Sequence, residues 1–345
     1  MTPPIPAPAH PQAPRKLWLR IALSALVAVV LAVGLFQSGP RNDFGPTMPS
    51  TRPLPPDNIA ALDTWLAASE AAYPDIKPGN AKGIVWHDAS HQRTPWSVVY
   101  LHGFSASRLE TAPLAEQVAQ ALGANTFYTR LSGHGRPGAA MGDASAQDWM
   151  ADAVEAVRIG QTLGERVLLI SCSTGSTLAT WLAMSSEGDK VTAHAFISPN
   201  FGPKDKRSEI INGPWGKKIA LALEGETRSW TPDSPQEAAA WTSSYPTRAL
   251  FPMMAMVKQV RESDLSLFQT PVLVLYSEKD ETVDPQETLS AFTRIGSPLK
   301  EIEAVTYSKS KGQHVLAGAI KDPQAVAPMA ASIANWARAL PNDPR

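Results

Sequence analysis

The sequence predicts an α/β domain built on a doubly wound, mainly parallel sheet, and three observations carry that expectation. Short β-type runs alternate with helical stretches from about residue 82 onward, the pattern of successive βαβ units. The run Arg166 to Ile170 is a continuous apolar strand, as expected at the centre of a parallel sheet. Residues 57–345 are enough for one large domain with a full core.

The elements follow in order. Gly83 to Trp86 is a short strand, and Ser97 to Leu101 a better one, being apolar, β-branched and aromatic. Ala112 to Leu122 has helical spacing, and Asn125 to Arg130 reads as a strand. Ala146 to Leu163 is a long helix with Trp149, Ala153, Val154 and Val157 along one face. After the central strand come a helix at Gly175 to Ser185, strands at Ala193 to Ser198 and Pro271 to Tyr276, a weaker strand at Ile302 to Tyr307, and a closing helix at Ala325 to Ala339. Between Pro199 and Thr270 the alternation stops. That stretch holds Trp215, Trp230, Trp241, Tyr245, Phe251, Met253, Met254 and Met256 without a clear strand. It reads as a helical cap over residues 200–268, with ordinary extra core as the competing reading.

The N-terminus is of another kind. Residues 1–16 form a Pro- and Ala-rich tail, expected to be disordered. Arg15, Lys16 and Arg20 precede an uncharged apolar run from Ile21 to Phe36, and residues 17–37 suffice to span about 30 Å of hydrocarbon. Length favours an uncleaved signal anchor over a signal peptide cut at Ala32-Val33-Gly34, and bulky Leu35-Phe36 agree. Either way the positive flank stays inside, which puts the rest of the chain on the non-cytoplasmic side. Residues 38–56 carry six prolines from Pro40 to Pro56 and read as an extended tether, after which Asp57 is a candidate N-cap.

Composition narrows the chemistry. Thirty-one basic residues against thirty-two acidic ones leave a net charge of -1, which argues against a nucleic-acid partner. A single cysteine, Cys172, excludes an intrachain disulfide and a cysteine-based zinc site. Gly133-His134-Gly135-Arg136-Pro137-Gly138 fits a dinucleotide-binding pattern. Pro137 and the gap before the next helix remove the helix N-terminus that would hold a pyrophosphate, so no cofactor is expected. No clustered metal ligands are visible.

The strongest local signal is Ile170-Ser171-Cys172-Ser173-Thr174-Gly175, set between an apolar strand and a helix. A sharp turn there would lift the Ser173 hydroxyl clear of the sheet; Gly175 is the expected small residue, while Ser171 stands where glycine is usual. A serine needs a base, and in the chain order serine, acid, histidine only His194 and His314 qualify. His194 lies inside a strand, whereas His314 sits in a polar loop between the last strand and last helix, so His314 is the candidate. The acid should follow the strand ending at Tyr276, where Asp280 is preferred and Glu278 and Asp284 are alternatives. Oxyanion donors are expected from the amides of Thr174 and Phe104, with Gly103 letting the backbone bend inward and His102 buttressing the turn.

Leu101-His102-Gly103-Phe104, Leu131-Ser132-Gly133-His134-Gly135, Gln147-Asp148-Trp149, the Ser173 turn, Asp280 and His314 together resemble the α/β-hydrolase superfamily. The chain looks most like its carboxylesterase, monoacylglycerol lipase and lysophospholipase branch, which groups with serine aminopeptidase-like hydrolases. The resemblance covers about residues 82–339. It implies a capped sheet of about eight strands, no cofactor, and hydrolysis through an acyl-enzyme. It also implies a triad of Ser173, Asp280 and His314, with Phe104 and Thr174 lining the oxyanion hole. The expected substrate is a small acyl ester, lipid-derived given the membrane segment; a peptidase or amidase, or a non-catalytic binding protein on the same scaffold, are the alternatives.

Overall fold

The computed structural model describes residues 15–341. The expected disordered tail falls outside them as far as residue 14, and Arg15 and Lys16 already begin a helix, α1 (Arg15–Gln37). Within α1, Trp18–Gln37 is long and apolar enough to cross a membrane, with a mean hydropathy of 2.5 and none of it buried against the rest of the chain.

Next come α2 (Leu62–Ala71), β1 (Gly83–Val85), β2 (Thr94–Leu101), α3 (Leu114–Leu122) and β3 (Asn125–Tyr128). They are followed by α4 (Ala146–Leu163), β4 (Gly164–Cys172), α5 (Thr174–Ala183) and β5 (Ala193–Ile197). The inserted region holds α6 (Gly216–Glu224), β6 (Thr227–Ser229), α7 (Pro235–Ala240), β7 (Ser244–Pro246) and α8 (Leu250–Glu262). The chain closes with β8 (Val272–Tyr276), α9 (Pro285–Arg294), β9 (Lys300–Ala304) and α10 (Val326–Ala339).

Seven strands form one sheet in the order β1-β3-β2-β4-β5-β8-β9, parallel except for β1. This is one strand fewer than the eight that the resemblance implied, and each corresponds to a run read from the sequence. Side chains alternate across the sheet. On β4, Val167 and Leu169 join the core with α4, α5 and α8, while Leu168, Ile170 and Cys172 face the core with α3 and α10. Burial on both faces is why these strands read as unbroken apolar runs.

Two expectations need correction. Asp57 is not the cap of the first helix: Asn58 is, its side chain accepting the Ala60 N–H, and one 3-10 turn precedes α2. The inserted region is not strandless either, because β6 and β7 pair as a short antiparallel ribbon. Only its earlier part is cap-like. Met256 and Val260 of α8, with Leu265 and Phe268 beyond it, belong to the main core.

Residues 38–56 have no regular structure, yet they do not hang free. Pro40 C=O accepts the Trp215 N–H at 2.8 Å, Asn42 bonds Asn212 and Phe251 C=O, and Gln147 donates to the carbonyls of Phe44 and Pro46. Arg52 is ion-paired with Asp152.

Candidate active site

Strand order reverses between β2 and β4: β3 lies beyond one, β5 beyond the other. In such sheets the crevice opens at the carboxyl ends of the two strands flanking the reversal. The residues emerging there are His102-Gly103-Phe104 after β2 and Ser173 after β4.

Ser173 has φ 53° and ψ −120°, a strained conformation for a residue with a Cβ. Its N–H still bonds Ile197 C=O at 2.9 Å, so the ladder holds the strain in place. Gly175 is required by crowding, because a Cβ there would lie 2.3 Å from Leu101 C=O. Serine is tolerated at 171 because its hydroxyl pairs with Ser176 Oγ at 3.0 Å inside the core. Cys172 points to the opposite core; burial, then the charges of Glu110 and Asp280, push its thiol well above the usual range.

The structure brings the three expected residues together. Ser173 Oγ–H donates to His314 Nε2 at 2.9 Å, and His314 Nδ1–H donates to Asp280 Oδ2 at 2.8 Å. Asp280 is only 2% exposed, and its other oxygen accepts the Thr282 and Val283 amides at 2.8 and 3.0 Å. Ser198 Oγ–H holds His314 C=O, and Glu281 N–H bonds Gly312 C=O, so the acid and histidine loops are tied to each other. The alternative acids are placed elsewhere: Glu278 is exposed, and Asp284 caps α9 through Gln286 N–H while pairing with Lys206.

Phe104 and Thr174 line the same cavity as Ser173 and His314. Thr174 opens α5, where an N–H has no intrahelical acceptor, and among the described residues neither its amide nor that of Phe104 has a partner. His102 is fully buried and held neutral, its pKa lowered to about 3 by burial and then by His134. Its Nδ1–H donates to Gly103 C=O at 2.9 Å and its Nε2 accepts the Leu131 N–H at 3.0 Å. His194 sits in β5 against Phe196 and Phe268 and does not line the cavity.

The glycine-rich segment leads into a short 3-10 turn, Gly138–Gly142, and not into an α-helix. Its Gly138 lies under the cap, where a Cβ would come within 1.8 Å of Ser244 C=O. The Gln147-Asp148-Trp149 segment is structural: Asp148 and Ser145 form a reciprocal cap on α4, and Trp149 Nε1–H bonds Ser132 C=O. Among the described residues no group of three or more His, Cys, Asp or Glu is placed to hold a metal.

The cavity measures about 950 Å³. Beside the serine its wall is apolar, made by Phe104, Ile211, Tyr245, Leu250, Met253 and Met254. Two residues near the nucleophile were not singled out from the sequence. Asn200, whose N–H bonds Ser173 C=O, lines the cavity with its Oδ1 unpaired, and Glu110 lies buried beneath the Gly103 turn.

A family profile described as Serine aminopeptidase, S33, matches residues 92–309, well over half the chain. The chain belongs to this family of α/β hydrolases. No curated protein sequence matches it. Among solved structures it is similar to one of the metagenome-derived lipolytic enzymes LipS and LipT, at 21% identity and a TM-score of 0.62, covering 76% of this chain and 99% of that one. It is also similar to a soluble variant of monoglyceride lipase from Saccharomyces cerevisiae, at 13% identity and 0.56, covering 74% and 90%. A third is the Paleococcus ferrophilus monoacylglycerol lipase, at 17% and 0.53, covering 74% and 96%. At these identities the likeness shows the fold.

Proposed function

We propose that this chain is a serine esterase acting on lipid-derived acyl esters, such as a monoacylglycerol or lysophospholipid. The observation that carries the reading is the unbroken relay from Ser173 Oγ through His314 to Asp280, at 2.9 and 2.8 Å. In this mechanism His314 Nε2 takes the Ser173 proton as Oγ attacks the ester carbonyl carbon. Asp280 fixes the imidazole tautomer and stabilises the imidazolium. The carbonyl oxygen, now anionic, is received by the amides of Phe104 and Thr174. The tetrahedral adduct collapses to an acyl-enzyme, and the alcohol leaves with the proton from His314. Water, deprotonated by His314, then attacks the acyl carbon; Ser173 is the leaving group, regains its proton from His314, and the acid departs.

The cavity supports an ester over an aminopeptidase substrate. A free α-ammonium calls for an unneutralised carboxylate, and each acid lining the cavity already faces a cation: Asp205 with Arg207, Glu224 with Arg228, Glu237 with Lys321. The apolar wall suits an acyl chain, and solved relatives of this fold include a lipolytic enzyme and monoglyceride lipases. In our reading α1 is an uncleaved anchor that holds the domain on the non-cytoplasmic face, beside membrane-derived substrates.

A fluorophosphonate probe should label Ser173 in the wild type and not in Ser173→Ala. A folded wild type that takes no label would leave a non-catalytic protein. Nitrophenyl esters of graded length run beside aminoacyl amides separate esterase from peptidase: faster amide turnover sinks the ester assignment. Mass spectrometry of the mature N-terminus tests the anchor, which a chain starting near Leu35 would overturn.

A further inference from the structure

Glu110 is the least expected group near the nucleophile. It is 2% exposed, lies in the loop between β2 and α3, and belongs to neither the triad nor the cavity wall. Its Oε1 accepts the Gly103 N–H at 2.6 Å and the Tyr100 hydroxyl at 2.9 Å. The packing is close: a Cβ on Gly103 would lie 3.1 Å from Glu110 Oε2 and 3.2 Å from Ser173 Cβ. On the other side Gly318, in the segment after His314, packs against the Glu110 backbone, where a Cβ would lie 2.7 Å from the carbonyl oxygen. A residue that merely filled this space would be apolar, because burying a carboxyl is costly without compensation.

What the carboxyl holds is the pivot of the turn. The peptide unit joining Gly103 to Phe104 is planar, so its C=O and the Phe104 N–H point in opposite directions. That C=O is gripped by His102 Nδ1–H at 2.9 Å and the Ala106 N–H at 3.3 Å. Gly103 has no Cβ to restrict its own dihedrals. Glu110 supplies the missing restraint by fixing the preceding amide. We propose that Glu110 is a positioning residue, whose carboxyl group clamps the Gly103 amide and so aims the Phe104 N–H at the reacting carbonyl. The inference rests on the esterase reading above.

The electrostatics agree with a group that is held, not hidden. Burial raises the Glu110 carboxyl to about 7, and the Gly103 amide, the Tyr100 hydroxyl and the charge of His314 pull it back down. The titratable groups facing it are Tyr100 from β2, Cys172 from β4 and His314 from the loop after β9. Burial keeps the Tyr100 and Cys172 groups protonated, while the raised Glu110 carboxyl titrates near neutrality.

The test uses the full chain and a nitrophenyl butyrate assay, with thermal melting and fluorophosphonate labelling alongside. Glu110→Ala should lower kcat about 10²-fold, the scale of one mis-set oxyanion donor, with KM within about twofold. Glu110→Gln keeps an oxygen for Gly103 and Tyr100, so its kcat should recover to within about tenfold of wild type. Its kcat–pH profile should also lose one titration near neutrality. A folded Glu110→Ala with wild-type kcat, or a loss confined to KM, overturns the proposal. If Glu110→Ala does not fold, Glu110→Gln decides: a pH profile identical to wild type overturns the role. A wild type that leaves Ser173 unlabelled removes the esterase reading and this role together. A labelled, active wild type beside an unaffected Glu110→Ala removes this role alone.

Discussion

Two of the clefts on the domain use polar residues in opposite ways. The smaller, about 670 Å³, is lined by Arg52, Lys82, Arg130 and Arg136 with Asp148, Asp152 and Glu155. Its cations are each matched: Arg52 to Asp152, Lys82 to Glu155 at 2.6 Å, Arg130 to Glu70 at 2.7 Å, Arg136 to Asp75 at 2.7 Å. Tyr73 adds its ring face to both Arg130 and Arg136. In the larger cleft the groups beside Ser173 are left unspent: the amides of Phe104 and Thr174 have no partner among the described residues. Charges that satisfy one another build structure, here fastening the 38–56 segment to α4. Donors left facing empty space are available to a substrate. The richer collection of charges is therefore the poorer candidate for chemistry.

The sharpest way to break this contrast is Ser173→Ala. It should cut kcat on the order of 10⁴–10⁶-fold with no loss of melting temperature; retained ester hydrolysis would move the chemistry elsewhere. Asp280→Asn comes next, at about 10⁴-fold in kcat through loss of the correct tautomer. Glu278→Gln should match wild type, and a reversal of these two would reassign the acid.

Arg52→Ala probes the other cleft. It leaves Asp152 without its strongest cation, and because Arg52 is 26% exposed the cost should be about 1–3 kcal/mol, between surface and buried pairs. Hydrolysis by the folded fraction should not change; a fall in kcat would mean that the two clefts are coupled.

The smallest effect concerns pH. Burial depresses His102 and His194 to about 3 and His134 to about 4. Between those values and the unfolded value of about 6.5, the unfolded chain binds more protons than the native one. Stability is therefore full above that range and falls as pH drops through it. Glu110 acts in the opposite sense: with its pKa raised to about 7, it favours the native state at low pH and loses that contribution as pH rises through neutrality. His194 has both ring nitrogens unpaired in the core, so His194→Phe should flatten the acid loss by about 1.4 kcal/mol per pH unit. Melting curves from pH 4 to 7 read this directly, and an unchanged slope would mean that His194 already finds a proton acceptor.

The elements were legible because unbroken apolar runs and helical periodicity are local properties: the helical spacing from Ala146 to Leu163 has the same bounds as α4. Ser173 and His314 were legible for a related reason, since a strand-turn-helix context and a loop after the last strand can be read along the chain. Four carboxylates stood within eight residues, and the sequence alone could only rank them. Folding put Asp280 under two amides and against His314, sent Glu278 to solvent, and gave Asp284 to the start of α9. Ser171 departs from the usual glycine, and what accommodates it is Ser176, five residues on, whose hydroxyl it pairs with in the core. The docking of residues 38–56 and the place of Glu110 under the Gly103 turn left no local trace. Each depends on partners brought together by the fold, and no periodicity encodes which distant backbone group a side chain will meet. The strands, the turn and the candidate serine and histidine are written in local sequence; the tertiary contacts settle which acid faces the histidine, and which charges stay paired with one another.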